Sequence, residues 1–125
     1  MRLEDIRFKA KKVSDGHWVY GDLIHGLLGE PVIRDSKALW HTVDPSTVCQ
    51  YTGAKDANGT DLYENDIIHF KGYKPTGIIK WVDDAYAFMV EYDGNLEFLS
   101  NVLDIGKVEI VCSAFDKEVD DEADL

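Results

Sequence analysis

Short runs of β-forming residues, separated by turns, dominate the pattern of hydrophobic and polar positions along the chain. From Ile6 to Ala10 apolar and charged residues alternate, which predicts a strand with Ile6, Phe8 and Ala10 on one face. The aromatic and branched residues between His17 and His25 predict a second strand, so that the two runs form a hairpin.

Two further strand candidates, Pro31 to Ile33 and Ala38 to Val43, complete an antiparallel β meander that we place in residues 1–46. The proline at position 45 marks its end, because proline cannot donate to a strand ladder. A short strand from Thr47 to Tyr51 follows, and the small polar residues from Gly53 to Gly59 predict a loop.

The second part of the chain, which we place in residues 47–115, carries further strand-like runs at a spacing that predicts a small β-barrel. These runs are Ile67 to Phe70, Ile78 to Val82, Ala85 to Tyr92, Leu96 to Leu99 and Val108 to Ala114. Asp93-Gly94 is the strongest candidate for a type I′ turn. In the last run, alternation places Val108 and every second residue after it on one face. No amphipathic helix is expected, apart from one short turn over Asn101 to Asp104.

The composition adds a strongly acidic balance to this mainly β prediction. The chain has 125 residues, enough for one domain or two intimately packed small lobes, and a formal net charge of −11. A surface of this sign repels phosphate backbones and anionic lipids, so neither nucleic acid nor a membrane is an expected partner. Much of the imbalance lies in residues 116–125, where six carboxylates accompany a single lysine, and we expect this acidic tail to be mobile.

Cysteine usage and hydropathy both favour a soluble protein. The sequence has two cysteines, Cys49 and Cys112, and no N-terminal signal peptide. We therefore expect two separate reduced thiols in a cytoplasmic protein, in preference to a disulfide. No apolar run approaches the roughly eighteen residues that a membrane-spanning helix needs.

The residue types that bind metal ions are scattered along the chain. Zinc sites use pairs of Cys or His a few residues apart, whereas the histidines and cysteines here all stand singly. The run from Asp56 to Glu64 has oxygen side chains at alternating positions, as a calcium loop does, but Asp61 replaces its sharp-turn glycine and Ile67 its closing glutamate. We therefore expect a turn stabilised by Asx-type hydrogen bonds, with no metal and no cofactor.

Patterns typical of catalysis are equally sparse. No nucleophile stands on a glycine turn, and Cys49 is better explained as a packed thiol in a strand. Glu64, Asp66, Asp83 and Asp84 are better explained as solvated turn acids than as an acid and base pair. No catalytic residue is therefore assigned, and we expect a binding or scaffolding protein instead of an enzyme.

A longer signature lies between Val48 and Ile67, with the sequence V-C-Q-Y-T-G-A-K-D-A-N-G-T-D-L-Y-E-N-D-I. This stretch resembles the signature of the YopX family, and the runs Ile6 to Ala10 and Trp18 to Leu23 occur in the family's usual order. The family pattern has glycine at the positions of Cys49 and Asn65. Asparagine tolerates the left-handed conformation better than other non-glycine residues, so we expect the turn at position 65 to survive the exchange.

The resemblance implies a protein of phage or prophage origin, a mostly β fold with an SH3-like barrel element in residues 47–115, and no established activity. It supplies no catalytic residues. We expect the hydrophobic anchors of the signature to be Tyr51, Leu62, Tyr63 and Ile67. We expect its turns to be shaped by Asp56, Asn58, Gly59 and Asp66.

Three classes of function stay open at this point. The first is a non-enzymatic protein-interaction or scaffold module in a bacterial host cell, whose partner is another protein or a second copy of the chain in a homo-oligomer. Its expected contact residues are Gln50, Tyr51, Thr52, Lys55, Asp56 and Asn58. The second is acidic mimicry that titrates a host nucleic-acid-binding protein. The third is an enzyme acting on a small molecule, which predicts a deep polar pocket with a perturbed titratable group.

Overall fold

The structure is a computed structural model that describes residues 2–116, and most of its regular structure is β-strand. It divides into two compact units, Met1–Gly53 (unit 1) and Ala54–Leu125 (unit 2). From the sequence alone we expect a division after residue 46 and a mobile tail over residues 116–125. All of that tail except Asp116 lies outside the described residues.

Unit 1 is built on antiparallel strands in the order β4-β3-β2-β1-β5. The strands are β1 Phe8–Lys11, β2 Trp18–His25, β3 Pro31–Arg34, β4 Trp40–Thr42 and β5 Cys49–Lys55. The first four pair with their neighbours in sequence, which confirms the predicted meander.

The core of unit 1 lies on one face of this sheet. Its buried residues are Ala10, Val19, Ile33 and Val43, against which Phe8, Leu23 and Val48 pack. Ile6 is not among them, so its predicted place beside Phe8 and Ala10 is wrong. A 3-10 turn, Leu3–Asp5, precedes β1, and the Ile6 N–H donates to the Leu3 carbonyl at 3.1 Å. Ile6 therefore caps this turn and does not belong to β1, and its side chain is exposed.

Strand β5 begins and ends later than the predicted Thr47 to Tyr51. Asp44 caps a 3-10 turn, Pro45–Thr47, by accepting the Ser46 N–H at 3.0 Å, so the strand begins only at Cys49. It then continues to Lys55, through the first residues of the predicted loop. The Asp56 N–H donates to the Thr60 carbonyl at 2.8 Å and leads into β6 Asp61–Tyr63, which the sequence did not predict. The full strand order of this sheet is β4-β3-β2-β1-β5-β6.

Unit 2 contains a second antiparallel sheet with the order β10-β9-β8-β7-β11. Its strands are β7 Asp66–Phe70, β8 Thr76–Val82, β9 Ala87–Tyr92, β10 Asn95–Phe98 and β11 Val108–Ser113. Strands β10 and β11 end the order and do not pair with each other within residues 2–116. The mainly β prediction is confirmed, but the predicted barrel is not, because the sheet has two open ends.

The segment from the β9–β10 turn to α1 confirms one prediction and shows that another is wrong. Asp93 and Gly94 have φ angles of 48° and 75°, as a type I′ turn requires. The predicted strand from Leu96 to Leu99 instead ends at Phe98, and α1 Leu99–Ile105 follows. Leu99 and Val102 are its buried residues, so a short amphipathic helix exists where we expected a single turn. Across residues 2–116 no helix is both long and apolar enough to cross a membrane.

Strand β11 also departs from simple alternation. Its register with β7 shifts between Ile110 and Cys112, which marks an irregularity of the β-bulge type. As a result Ser113 is buried and Cys112 only partly so, and the strand ends one residue before Ala114. The core of unit 2 consists of Leu62, Ile68, Ile79, Val90, Leu99, Val102 and Val108.

Candidate functional site

The turn between β5 and β6 is organised by one carboxylate, that of Asp56. Its Oδ1 accepts the backbone N–H groups of Asn58 and Thr60 at 2.8 and 2.9 Å, and its Oδ2 accepts the Ile110 N–H at 3.2 Å. Burial raises the pKa of this carboxyl, but the three N–H donors outweigh burial and leave the pKa below its ordinary value. The bonds within the turn confirm the Asx-type turn expected from the sequence.

The contact residues expected from the sequence fall into two groups. Gln50, Tyr51 and Thr52 belong to unit 1, whereas Lys55, Asp56 and Asn58 belong to unit 2. Tyr51 and Asp56 are buried, Gln50 and Thr52 are half-buried, and only Lys55 and Asn58 are exposed. The Arg7 guanidinium lies 4.2 Å from the centroid of the Tyr51 ring, a cation–π contact inside unit 1. The assignment of these six residues to a contact surface stays a prediction.

The other residues of the signature also contribute to the fold. All four expected anchors, Tyr51, Leu62, Tyr63 and Ile67, are buried. Asp66 is completely buried and accepts the Tyr63 N–H at 2.8 Å, so its interpretation as a solvated acid is wrong. Asn65 has a φ of 69°, which confirms that asparagine occupies a left-handed position there. The signature thus specifies the turns and the anchors of the fold.

Asp56 and Cys49, the residues of the signature considered as a metal ligand and a nucleophile, both make hydrogen bonds within the protein. No group of three or more His, Cys, Asp or Glu residues is arranged to hold a metal ion in this part of the chain. In the loop that resembles a calcium site, both Asp56 oxygens are occupied by N–H donors. Cys49 is completely buried, and its thiol donates to the Thr47 carbonyl at 3.2 Å. It is the packed thiol that we expected.

Two leucines at the tip of the β2–β3 hairpin are the most exposed large apolar residues of the described chain. Leu27 keeps 99% and Leu28 92% of its accessible surface. Isolated exposed leucines are ordinary on protein surfaces, but two adjacent ones at a projecting tip form a patch that is costly to hydrate. We call this pair the leucine tip.

The leucine tip is held by hydrogen bonds. The Gly26 N–H donates to the Glu30 carbonyl at 2.7 Å, and the Gly29 N–H donates to the Gly26 carbonyl at 2.9 Å. The Glu30 carboxylate accepts the Leu28 N–H at 3.0 Å. A Cβ on Gly26 would lie 1.9 Å from that carboxylate, so glycine is what lets Glu30 fold over the turn. The leucines are therefore presented on an ordered turn.

Unit 2 contains a cleft of about 310 Å³ between its sheet and α1. Ile68, Val90, Val102 and Val108 are fully buried residues that line it. The remaining lining residues come from β7, the start of β8, the β9–β10 hairpin and α1, and they are His69, Phe70, Pro75, Thr76, Gly77, Tyr92, Asp93, Glu97 and Ile105. A cleft of this size falls at the lower end of ligand-binding pockets, which hold roughly 300–1,000 Å³.

Two carboxylates give this apolar cleft an acidic side. Glu97 Oε1 accepts the Asn101 side-chain amide and the Phe98 N–H, both at 2.9 Å. These two bonds, the Asn101 bond foremost, hold the pKa of Glu97 below its ordinary value. Among the described residues no hydrogen bond or ion pair involves Glu97 Oε2 or the Asp93 carboxylate. We call Asp93 and Glu97 the acidic pair.

Sequence reasoning missed both surfaces, for different reasons. The leucine tip had a visible signal, because Leu27 and Leu28 stand between Gly26 and Gly29, in the interval between two predicted strands. The cleft had none, because its lining is distributed over five strands, a helix and two turns between residues 68 and 108.

Comparison with known proteins gives one match. No curated protein and no solved structure matches the chain. The family model described as YopX protein matches residues 5–116, which includes the signature between Val48 and Ile67. The match therefore extends over both units. Since it spans most of the 125 residues, the chain belongs to the YopX protein family.

Proposed function

We propose that this YopX-family protein is a non-enzymatic interaction module that binds another protein, or a second copy of itself, through the leucine tip. As the family resemblance implies, we place it in phages or prophages, acting in the cytoplasm of the bacterial host. The observation that carries the proposal is the near-complete exposure of Leu27 and Leu28 on an ordered turn.

The energetics of exposure support a binding role for the leucine tip. Burying one leucine side chain contributes roughly 1.5–3 kcal/mol, so burying both at an interface contributes about 3–6 kcal/mol. An ordered turn also loses little conformational entropy on binding.

The experiment compares the wild-type chain with a double variant, Leu27→Ser and Leu28→Ser. Sedimentation velocity over a wide concentration range reports self-association, and affinity capture from a prophage-bearing bacterial lysate reports other partners. Both associations should weaken by about a hundredfold or more, because about 3 kcal/mol corresponds to roughly that ratio. The matched control is Leu3→Ser, since Leu3 is also highly exposed but lies outside the hairpin.

The outcomes separate the alternatives. Self-association that is lost only in the tip variant identifies a second copy as the partner. A wild-type chain that stays monomeric, with captured proteins that are lost only in the tip variant, identifies another protein. Equal association by the wild-type chain, the tip variant and the control would refute a role for the leucine tip.

We further propose that unit 2 is SH3-like, although its sheet has open ends. Five consecutive strands, of which the last returns to pair with the first, are the arrangement expected of such an element. The order β10-β9-β8-β7-β11 supports the proposal, because β11 pairs with β7. The exposed residues Lys55 and Asn58 are kept as proposed additional contacts.

A further inference from the structure

The cleft of unit 2 has room for a large apolar side chain. Protein interiors are close-packed, and empty spaces larger than a water molecule are few in each domain. An engineered apolar cavity of roughly 150 Å³ is large enough to bind benzene. The unit 2 cleft has about 310 Å³, and its buried floor is made by Ile68, Val90, Val102 and Val108. An aromatic or branched side chain would fill it and remove from water the apolar surface of its more exposed lining residues, Phe70 and Ile105.

The acidic pair favours a positively charged group next to the apolar side chain that fills the cleft. Glu97 is ionised at neutral pH, and it lines the cleft together with Asp93. His69 also lines the cleft, but its Nε2 lies 3.6 Å from Glu109 and its Nδ1 2.6 Å from the Tyr73 carbonyl oxygen. Neither interaction involves the acidic pair. A cationic group beside the acidic pair would therefore be favoured over an anionic one.

Two lysines line a depression next to the cleft. This depression shares Phe70 and Ile105 with the cleft and is also lined by Lys71 and Lys107. The acidic and basic residues therefore belong to different parts of the lining, with the acidic pair in the β9–β10 hairpin and the two lysines beside Phe70 and Ile105. This arrangement assigns the cation of a ligand to the Asp93 side.

The edge of the sheet next to the cleft is not suited to pairing with an added strand. Strand β10 is short and ends the strand order. The N–H of Phe98, which an added strand would need, already donates to Glu97 Oε1 at 2.9 Å. Charged side chains and short strands protect such edges from pairing. A polypeptide at this place would be recognised by its side chains.

We propose that the unit 2 cleft binds a polypeptide segment of a partner protein in which a large apolar side chain is adjacent to a lysine or arginine. The apolar side chain fills the cleft, and the cation pairs with Asp93 and Glu97. The proposal rests on the proposed interaction function and names a second contact for it, in a different unit from the leucine tip.

The test is an NMR titration of the isotope-labelled full chain with three blocked tetrapeptides, Gly-Lys-Phe-Gly, Gly-Glu-Phe-Gly and Gly-Lys-Ser-Gly. The first should shift the amide resonances of Gly77, Val90 and Ile105. The second should bind about tenfold more weakly, since two exposed charge pairs contribute roughly that factor. The third should leave those resonances unmoved, because it lacks the apolar side chain.

Two variants complete the experiment. The double change Asp93→Asn and Glu97→Gln should equalise the first two peptides without unfolding the chain, because asparagine accepts the positive φ at position 93 and glutamine keeps an acceptor for the Phe98 N–H. The leucine-tip variant should bind the first peptide as the wild-type chain does.

Each outcome bears on one proposal. Equal binding of the first two peptides by the wild-type chain would overturn the role of the acidic pair. Unmoved cleft resonances with all three peptides would overturn the cleft as a binding site, while the leucine tip would still stand or fall by its own association assay.

Discussion

Replacing Asp56 by alanine should destabilise unit 2 more than any other change to a charged side chain of the β5–β6 turn. This carboxylate is 7% exposed and accepts three backbone N–H groups. Two of them belong to its own turn, and the third, from Ile110, belongs to β11 and lies 54 residues away in sequence. The substitution therefore loosens the turn and its connection to the last strand at the same time.

The magnitude follows from the three hydrogen bonds. A hydrogen bond to a charged group contributes roughly 1.5–3 kcal/mol, and a buried donor left without a partner costs about 1–3 kcal/mol. Water can reach the exposed Asn58 and Thr60 but reaches Ile110 less easily. We therefore expect a loss of about 3–5 kcal/mol for Asp56→Ala. Asp56→Asn keeps one oxygen acceptor for the turn and should lose about 1–2 kcal/mol.

Urea denaturation followed by circular dichroism measures the loss, and amide hydrogen exchange localises it. Exchange of the Asn58, Thr60 and Ile110 amides should accelerate in Asp56→Ala. The control is Asp84→Ala, which removes the same charge from an exposed 3-10 turn. If the two variants unfold within about 0.5 kcal/mol of each other, the structural role given to Asp56 is wrong.

The same carboxylate gives stability a defined pH dependence. Its pKa is lower in the folded chain than the ordinary value of 3.8, so the unfolded chain takes up the proton first as the pH falls. The stabilisation is therefore complete above the unfolded pKa and is lost as the pH falls through the folded pKa. Asp56→Asn should remove this part of the acid sensitivity, measured as the difference between the unfolding free energies at pH 7 and pH 3.

Three smaller predictions concern single positions. Asn65→Ala should cost about 1 kcal/mol and Asn65→Gly close to nothing in urea denaturation, because position 65 has a φ of 69°. Gly21→Ala should cost more than about 3 kcal/mol, since its Cβ would lie 2.0 Å from a carbonyl oxygen of β3, whereas Gly16→Ala, with nothing within 4 Å, should cost about 1 kcal/mol. The His41 ring and then the Leu39 N–H lower the pKa of Asp35, so His41→Phe should raise that pKa in an NMR titration.

The features of the fold that sequence could predict are those set by local chemistry. The β-forming residues between His17 and His25 identified β2, and the pair Asp93-Gly94 identified the β9–β10 turn, because each signal depends on neighbours in the chain. The short helix α1 was missed because seven residues make only two turns, and its first residue, Leu99, directly follows the apolar Phe98 that ends β10. The irregularity in β11 depends on pairing with β7, which no local pattern records.

The candidate sites show the same limit. Tyr51 and Asp56 were expected at a contact surface because they belong to a distinctive motif, yet both are buried. Polar residues that shape a turn and polar residues that bind a partner are the same residue types, so only coordinates separate them. The cleft was invisible for a further reason, since chain folding alone brings Ile68 and Val102 to one place.

The pairing of β11 with β7 has a consequence for synthesis of the protein. Strand β7 ends at Phe70, but its outer partner begins only at Val108, so the ribosome must translate most of unit 2 before this edge is covered. A nonsense or frameshift mutation between β7 and β11 would leave Ile67 and Ile68 on an uncovered strand edge, which is a template for pairing with other chains. Such truncated products should accumulate as insoluble material, although they still contain strands β1 to β4.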